Sequence, residues 1–326
     1  MPTTDPMIAS DQHDSAHQDA PPALALAAVS KRFGQRVAVA DLNLQMAAGE
    51  TLGFLGPNGA GKTTTLRIAT GFLRPTTGQV CLLGCDMHDP RQAQRARARL
   101  GYVPDVAGLD PGATGAWLLD ELAGLQGAPP RDRARLIEQL ELDPGDLRRP
   151  MGRLSRGTRQ KINIVQGLQH RPDLLILDEP TEGLDPLTKR ALFGILQAAR
   201  ARGAAIFFSS HVLGEVEELC NRVALIRQGR LVAVSPITTL RATHERRVTV
   251  QLADAAPASA GERLAQAPTV VGLRLLAPNL WQFAVRDLNA LLALLAELPV
   301  ADLTVEPPSL EELFLQYYRP EVGGDA

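Results

Sequence analysis

The stretch Gly56-Pro57-Asn58-Gly59-Ala60-Gly61-Lys62-Thr63-Thr64 constrains this chain more than any other. It fits the pattern G-x-x-x-x-G-K-[ST] and follows the apolar run Thr51 to Leu55. A strand must therefore end in a glycine-rich loop that opens directly into a helix. The glycines let successive backbone N–H groups turn inward around an anion, and the helix N-terminus adds its positive end. Lys62 is then placed to reach the β- and γ-phosphates of a nucleotide, and the Thr63 hydroxyl to ligate Mg²⁺. The glycine spacing is not that of the dinucleotide fingerprint.

A second apolar run, Leu174-Leu175-Ile176-Leu177, ends in Asp178 and Glu179. Alone, a strand ending in acids is usually a solvated edge. About 120 residues after a phosphate loop it fits the Walker B arrangement. Asp178 would hold Mg²⁺, through water. Glu179 lies one residue further on, points elsewhere, and would polarise an attacking water as general base. Loop and carboxylates together predict a nucleoside triphosphatase.

The surrounding pattern predicts an α/β architecture with a parallel core sheet. Strands are expected at Leu24–Val29, Val37–Leu44, Thr51–Leu55 and Leu100–Val103. Leu174–Leu177 and Ala204–Phe208 are compact apolar runs of the kind buried on both sheet faces. Helices are expected at Lys62–Thr70, Thr114–Leu125, Arg131–Leu140 and Pro186–Arg202, the last with Pro at its start. Residues 1–22 hold almost no large apolar side chains and are expected to be a disordered tail, with His13 and His17 solvated. After Val234 the order becomes β-α-β-β-α-β: Val248–Leu252, Ala260–Gln266, Val270–Leu276, Leu280–Val285, Leu288–Leu298 and Leu303–Val305. This predicts a ferredoxin-like α+β appendage. A last helix, Ser309–Tyr318, is expected from the capping pair Ser309 and Glu312.

Between the two phosphate-handling motifs lies Leu154-Ser155-Arg156-Gly157-Thr158-Arg159-Gln160-Lys161. Here the chain resembles the ATP-binding cassette family, whose signature is LSGGQ followed by a helix. Ser155 and Gly157 match, Arg156 replaces a Gly and Thr158 a Gln. The resemblance implies that Ser155, Arg156, Gly157 and Thr158 face the γ-phosphate of an ATP bound to the opposite subunit. A lone Leu-Ser-x-Gly is more often a helix N-cap. Further matches follow in the family's order. Pro180-Thr181-Glu182-Gly183-Leu184-Asp185-Pro186 is similar to the D-loop, with Asp185 toward the dimer partner. Ser209-Ser210-His211 resembles the switch histidine, which contacts the γ-phosphate. Phe33 falls where the family carries an aromatic that stacks on adenine, with core packing as the alternative. One position departs. Gly101-Tyr102-Val103-Pro104-Asp105 has Asp105 where the family's Q-loop has a Gln that bridges metal and membrane partner. Either this carboxylate accepts from metal-bound water or it is a plain loop acid.

The resemblance spans roughly Ala23 to Val234. It implies a P-loop nucleotide hydrolase fold with an antiparallel β subdomain and a helical subdomain. The expected layout is a tail (1–22), an ATPase domain (23–238) and an accessory domain (239–326). It also implies ATP and Mg²⁺ as cofactors, and either a homodimer of cassettes or a heterodimer with a related one. The ending Ser309-Leu310-Glu311-Glu312-Leu313-Phe314-Leu315 is similar to that of subunits serving two-component exporters of drugs, antibiotics or lipids, whose integral-membrane permease is encoded separately. Import remains the alternative direction.

Other classes fit less well. The chain has 34 basic and 36 acidic residues, so it lacks the basic excess of a nucleic-acid binder. No run approaches the roughly 20 apolar residues of a membrane helix. There is no basic segment followed by an apolar core at the N-terminus. The expectation is a cytoplasmic chain, peripheral on the inner face of the cell membrane. Cys81, Cys85 and Cys220 make no disulfide framework and read as small buried hydrophobes.

Overall fold

The computed structural model describes residues 21–105, 110–127, 129–242, 245–253 and 259–306. Nearly all of the expected tail and the expected helix Ser309–Tyr318 lie outside them. The chain divides between Ser235 and Pro236 into two compact units.

The first unit opens with a hairpin, β1 (Leu24–Phe33) and β2 (Arg36–Met46). Both strands run further than their apolar cores suggested, because tertiary pairing extends them through polar residues. Phe33 pairs with Arg36 across the turn. β3 (Thr51–Leu55) leads through the glycine loop into α1 (Lys62–Ala69). β4 (Thr77–Leu82) and β5 (Cys85–Asp86) join the hairpin in an antiparallel sheet ordered β2-β1-β4-β5. Helix α2 (Pro90–Ala98), capped by Asp89 with Pro at its first position, then delivers the chain to β6 (Leu100–Val103).

A helical segment follows, with α3 (Gly115–Gln126), α4 (Arg133–Gln139) and α5 (Arg156–Leu168). After it come β7 (Leu174–Asp178), α6 (Pro186–Ala201), β8 (Ala205–Ser210), α7 (Leu213–Leu219), β9 (Arg222–Arg227) and β10 (Arg230–Pro236). The larger sheet is ordered β10-β9-β3-β8-β7-β6. Its pairs β3–β8, β3–β9, β7–β8 and β6–β7 are parallel. Every residue of β3, β7 and β8 is buried, as required of strands covered on both faces. Phe54 and Phe207 pack with ring centroids 5.2 Å apart. Leu66 and Ile68 of α1 join the same apolar cluster, which continues into Leu24, Leu42 and Leu82 of the antiparallel sheet. Each such side chain contributes about 1.5–3 kcal/mol by leaving water. The glycine loop is therefore carried on a rigid base.

One buried carboxylate helps to pin the helical segment to the core. Asp132, just before α4, is 3% exposed and meets Arg135, Arg171 and Arg202. Burial by itself would raise its pKa. The hydrogen bond from Arg171 and the charges of Arg135, Arg171 and Arg202 outweigh that, and the net effect is downward.

The second unit begins with α8 (Ile237–Ala242) and then runs β11 (Arg246–Leu252), α9 (Ala260–Gln266), β12 (Val270–Ala277), β13 (Leu280–Val285), α10 (Leu288–Leu295) and β14 (Val300–Glu306). Its sheet is ordered β12-β13-β11-β14 with antiparallel pairing throughout. Val248, Val250 and Phe283 of the sheet pack on Leu264 of α9 and Leu291 of α10.

Candidate nucleotide site

The phosphate loop owes its shape to glycine. Gly61 adopts φ 110°, and a Cβ there would sit 2.7 Å from the Ala38 carbonyl oxygen. Only glycine meets both demands, and α1 starts at the next residue. Lys62 is 6% exposed, and its ammonium donates to the carbonyl oxygens of Gly56 (2.5 Å) and Pro57 (3.4 Å). The same Nζ lies 3.2 Å from Glu179 Oε1.

Glu179 follows β7 directly and has φ 49°, a left-handed conformation uncommon for a residue with a side chain. That turn separates the two acids. Asp178 stays in the sheet at 1% exposure, while Glu179 faces the loop. Ser209 on β8 holds both, because its hydroxyl donates to Asp178 Oδ1 (2.9 Å) and accepts from the Glu179 backbone N–H (3.1 Å). The other oxygen of Glu179, Oε2, is 2.8 Å from His211 Nδ1. Burial pushes Asp178 up from the usual carboxylate range. The Thr63 and Ser209 hydroxyls and the Lys62 charge work against that, while the Glu179 charge adds to it. Asp178 Oδ2 is buried with no hydrogen-bond partner of ordinary geometry among the described residues.

A cavity of about 670 Å³ opens over this arrangement. Its walls include Phe33, Pro57, Asn58, Gly59, Gly61, Lys62, Thr63, Thr64, Asp105 and Glu179, all singled out in the sequence. Phe33 is 51% exposed, so its place is on the cavity wall and not in the core, with the Lys31 ammonium 5.2 Å from its ring centroid. Arg36, Glu182, Gln228 and Gly229 also line the cavity. Sequence reasoning gave them no place at the cavity because the segments that carry them meet the loop only in the folded chain.

Ser155, Arg156, Gly157, Thr158 and Asp185 are not on this wall. Ser155 caps α5, accepting from the Thr158 N–H at 3.0 Å. The helix therefore begins at Arg156. Arg156 pairs with Glu182 at 2.6 Å. A Cβ on Gly157 would be 2.9 Å from the Gly183 carbonyl oxygen, so α5 touches the Pro180–Pro186 segment backbone to backbone. Asp185 caps α6, accepting from the N–H groups of Leu187 and Thr188 and from the Thr188 hydroxyl. The hydrogen bonds from the Thr188 hydroxyl and backbone hold it down, to about 2.

Three buried amide side chains on α5 complete the frame, and sequence reasoning missed them. Gln160 donates to the Pro180 carbonyl (2.7 Å), Asn163 to that of Pro104 (2.5 Å) and Gln166 to that of Tyr102 (2.6 Å). Their spacing of three residues lines up one face of the helix. They tie α5 to the residues flanking Asp105 and Glu179. The spacing was legible in the sequence. The carbonyls it meets were not.

Residues 39–182 match the family model described as ABC transporter. The chain is 38% identical over 210 residues to the Nod factor export ATP-binding protein I of Paraburkholderia xenovorans, covering 63% of this chain and 68% of that protein. It is 32% identical over 227 residues to the bacitracin transport ATP-binding protein BcrA of Bacillus licheniformis, covering 69% of this chain and 74% of that one. A solved structure described as the ATP-binding subunit of an ABC transporter superposes with a TM-score of 0.62 at 28% identity, covering 68% of this chain and 92% of its own.

Proposed function

The chain belongs to the ABC transporter family as an ATP-binding, ATP-hydrolysing subunit, and on that premise we propose that two cassettes clamp two ATP molecules and drive export through a separate membrane permease. The second cassette is another copy of this chain or a related one. The observation that carries the reading is the position of Glu179, held between Lys62 at 3.2 Å and His211 at 2.8 Å beside the phosphate loop.

The loop amides and Lys62 grip the β- and γ-phosphates, and Phe33 stacks on the adenine. Entry of the γ-phosphate draws the Lys62 ammonium away from Glu179 Oε1, which leaves that oxygen to accept a proton from water. His211 holds the second oxygen and so fixes the direction of the first. Water attacks the γ-phosphorus, its proton passes to Glu179, and ADP departs as the leaving group. The chain's donor set fits magnesium. Asp178 offers a buried oxygen with no partner of ordinary geometry among the described residues, and Thr63 offers a hydroxyl beside it. When bound there, the ion supplies positive charge against the phosphate oxygens. Asp105 lies on the cavity wall and takes the Q-loop position.

Ser155, Arg156, Gly157 and Thr158 lie off the cavity of their own subunit, which suits a surface that meets the ATP of the other. Export follows from the relatives, two of which are named for Nod factor export and bacitracin transport. No helix among the described residues is long and apolar enough to cross a membrane, so the pathway for cargo is assigned to a permease. Residues 23–238 form the cassette and 239–326 an accessory domain in this reading.

Glu179→Gln tests the assignment. It should leave ATP affinity within about threefold, lower turnover by about 10²–10⁴-fold, and accumulate an ATP-dependent dimer in gel filtration. Turnover at the unmodified rate would remove Glu179 from the mechanism.

A further inference from the structure

Glu215 takes no part in the chemistry above, yet it is a charged side chain only 7% exposed. A carboxylate is buried at such depth only when its oxygens are satisfied. Here they accept from three separate segments. The Thr181 hydroxyl donates to Oε2 at 2.7 Å, the Ser210 hydroxyl donates to the same oxygen at 2.9 Å, and Lys189 Nζ donates to Oε1 at 3.0 Å.

Two of the donors lie close in sequence to residues already placed at the site, and the third sits on α6. Thr181 is two positions after Glu179, Ser210 immediately precedes His211, and Lys189 is four positions after Asp185 on α6. The Ser210 hydroxyl also accepts from the Val212 N–H at 2.9 Å, so it binds the chain on both sides of His211. Glu179 holds a left-handed φ of 49°, which a residue with a Cβ keeps only where its surroundings over-determine it. Ser209 restrains that turn through the Glu179 N–H, and Glu215 restrains it from the far side through Thr181.

We infer that Glu215 is a positioning residue: its carboxylate fixes the Thr181 and Ser210 segments against each other and so keeps Glu179 and His211 within hydrogen-bond distance. It does not line the cavity and acts only through that pair. The link to Lys189 extends the same restraint to α6. This inference rests on the roles given to Glu179 and His211 above.

The test is a double-mutant cycle on the full chain. Glu215→Gln keeps the shape of the side chain but loses the charge and one acceptor. Alone it should lower kcat by about tenfold while KM for ATP stays within about twofold. In the His211→Ala background, where the pair no longer exists, the same change should cost less than about twofold. Equal losses in both backgrounds would overturn the inference, as would an unchanged kcat in the single variant. Thr181→Val removes one donor without burying an unpaired charge. It should repeat the pattern if Glu215→Gln fails to fold, and additive losses there overturn the inference equally. Glu179→Gln separates the two levels: retained turnover refutes the underlying reading, whereas lost turnover with an additive cycle refutes only the role of Glu215.

Discussion

The Lys62 ammonium and the Glu179 carboxylate form an ion pair, 3.2 Å from Nζ to Oε1, across the base of the phosphate loop. Both side chains are largely shielded, at 7% and 15% exposure, so the contact is little screened. In the proposed mechanism a phosphate and the carboxylate of Glu179 compete for this one cation, which couples the arrival of nucleotide to the release of the base.

Lys62→Ala should weaken Mg·ATP binding by at least about tenfold, in line with the roughly 1.5–3 kcal/mol of a charged hydrogen bond. Titration calorimetry on the purified chain measures it. Affinity equal to that of the unmodified chain would remove Lys62 from the phosphate site.

Phe33→Ala should raise KM for ATP by about 5- to 30-fold, the equivalent of about 1–2 kcal/mol of base stacking. Because the ring is half exposed, melting temperature should scarcely move. A lower melting temperature with constant KM would return Phe33 to a packing role.

Ser209→Ala strips a partner from both acids at once. It leaves Asp178 Oδ1 and the Glu179 N–H without their shared hydroxyl. The expected loss is about 1–3 kcal/mol of folding stability in urea titrations, together with a higher magnesium requirement for turnover. Unchanged values of both would show that water replaces the hydroxyl without cost.

Asp132→Asn should destabilise the chain by about 1–2 kcal/mol above pH 5, a figure discounted for the half-exposed arginines that screen the network. The folded pKa lies below the ordinary value of 3.8. The stabilisation is therefore complete above that value and is lost as pH falls through the lower, folded one. Melting curves of the two proteins should stay separated near neutrality and converge below about pH 4. A gap that widens in acid would contradict the sign.

Much of the site was readable because each motif is a short contiguous segment whose spacing carries its own geometry. Gly56 to Thr64 had to be a strand-to-helix loop, and Asp178-Glu179 had to end a buried strand. Element ends were read less well. β1 and β2 extend through polar residues because their partners are supplied by the sheet. Helices α2 and α7 and strand β10 escaped notice because short segments of mixed composition have no clear period, and β9 because a short apolar run is not assigned by periodicity alone.

What the sequence alone determined is the glycine loop and the pair of acids beside it, because backbone amides in a glycine loop and acids at a strand end are local consequences of residue order. Only the tertiary structure decided how those groups are aimed. Ser209 joining Asp178 to Glu179, Glu215 joining Thr181 to Ser210, and Gln160 reaching Pro180 all cross between segments far apart in the chain. Hydrogen bonds reward proximity in space, and proximity between distant segments is set by parallel strand order, which no local pattern encodes.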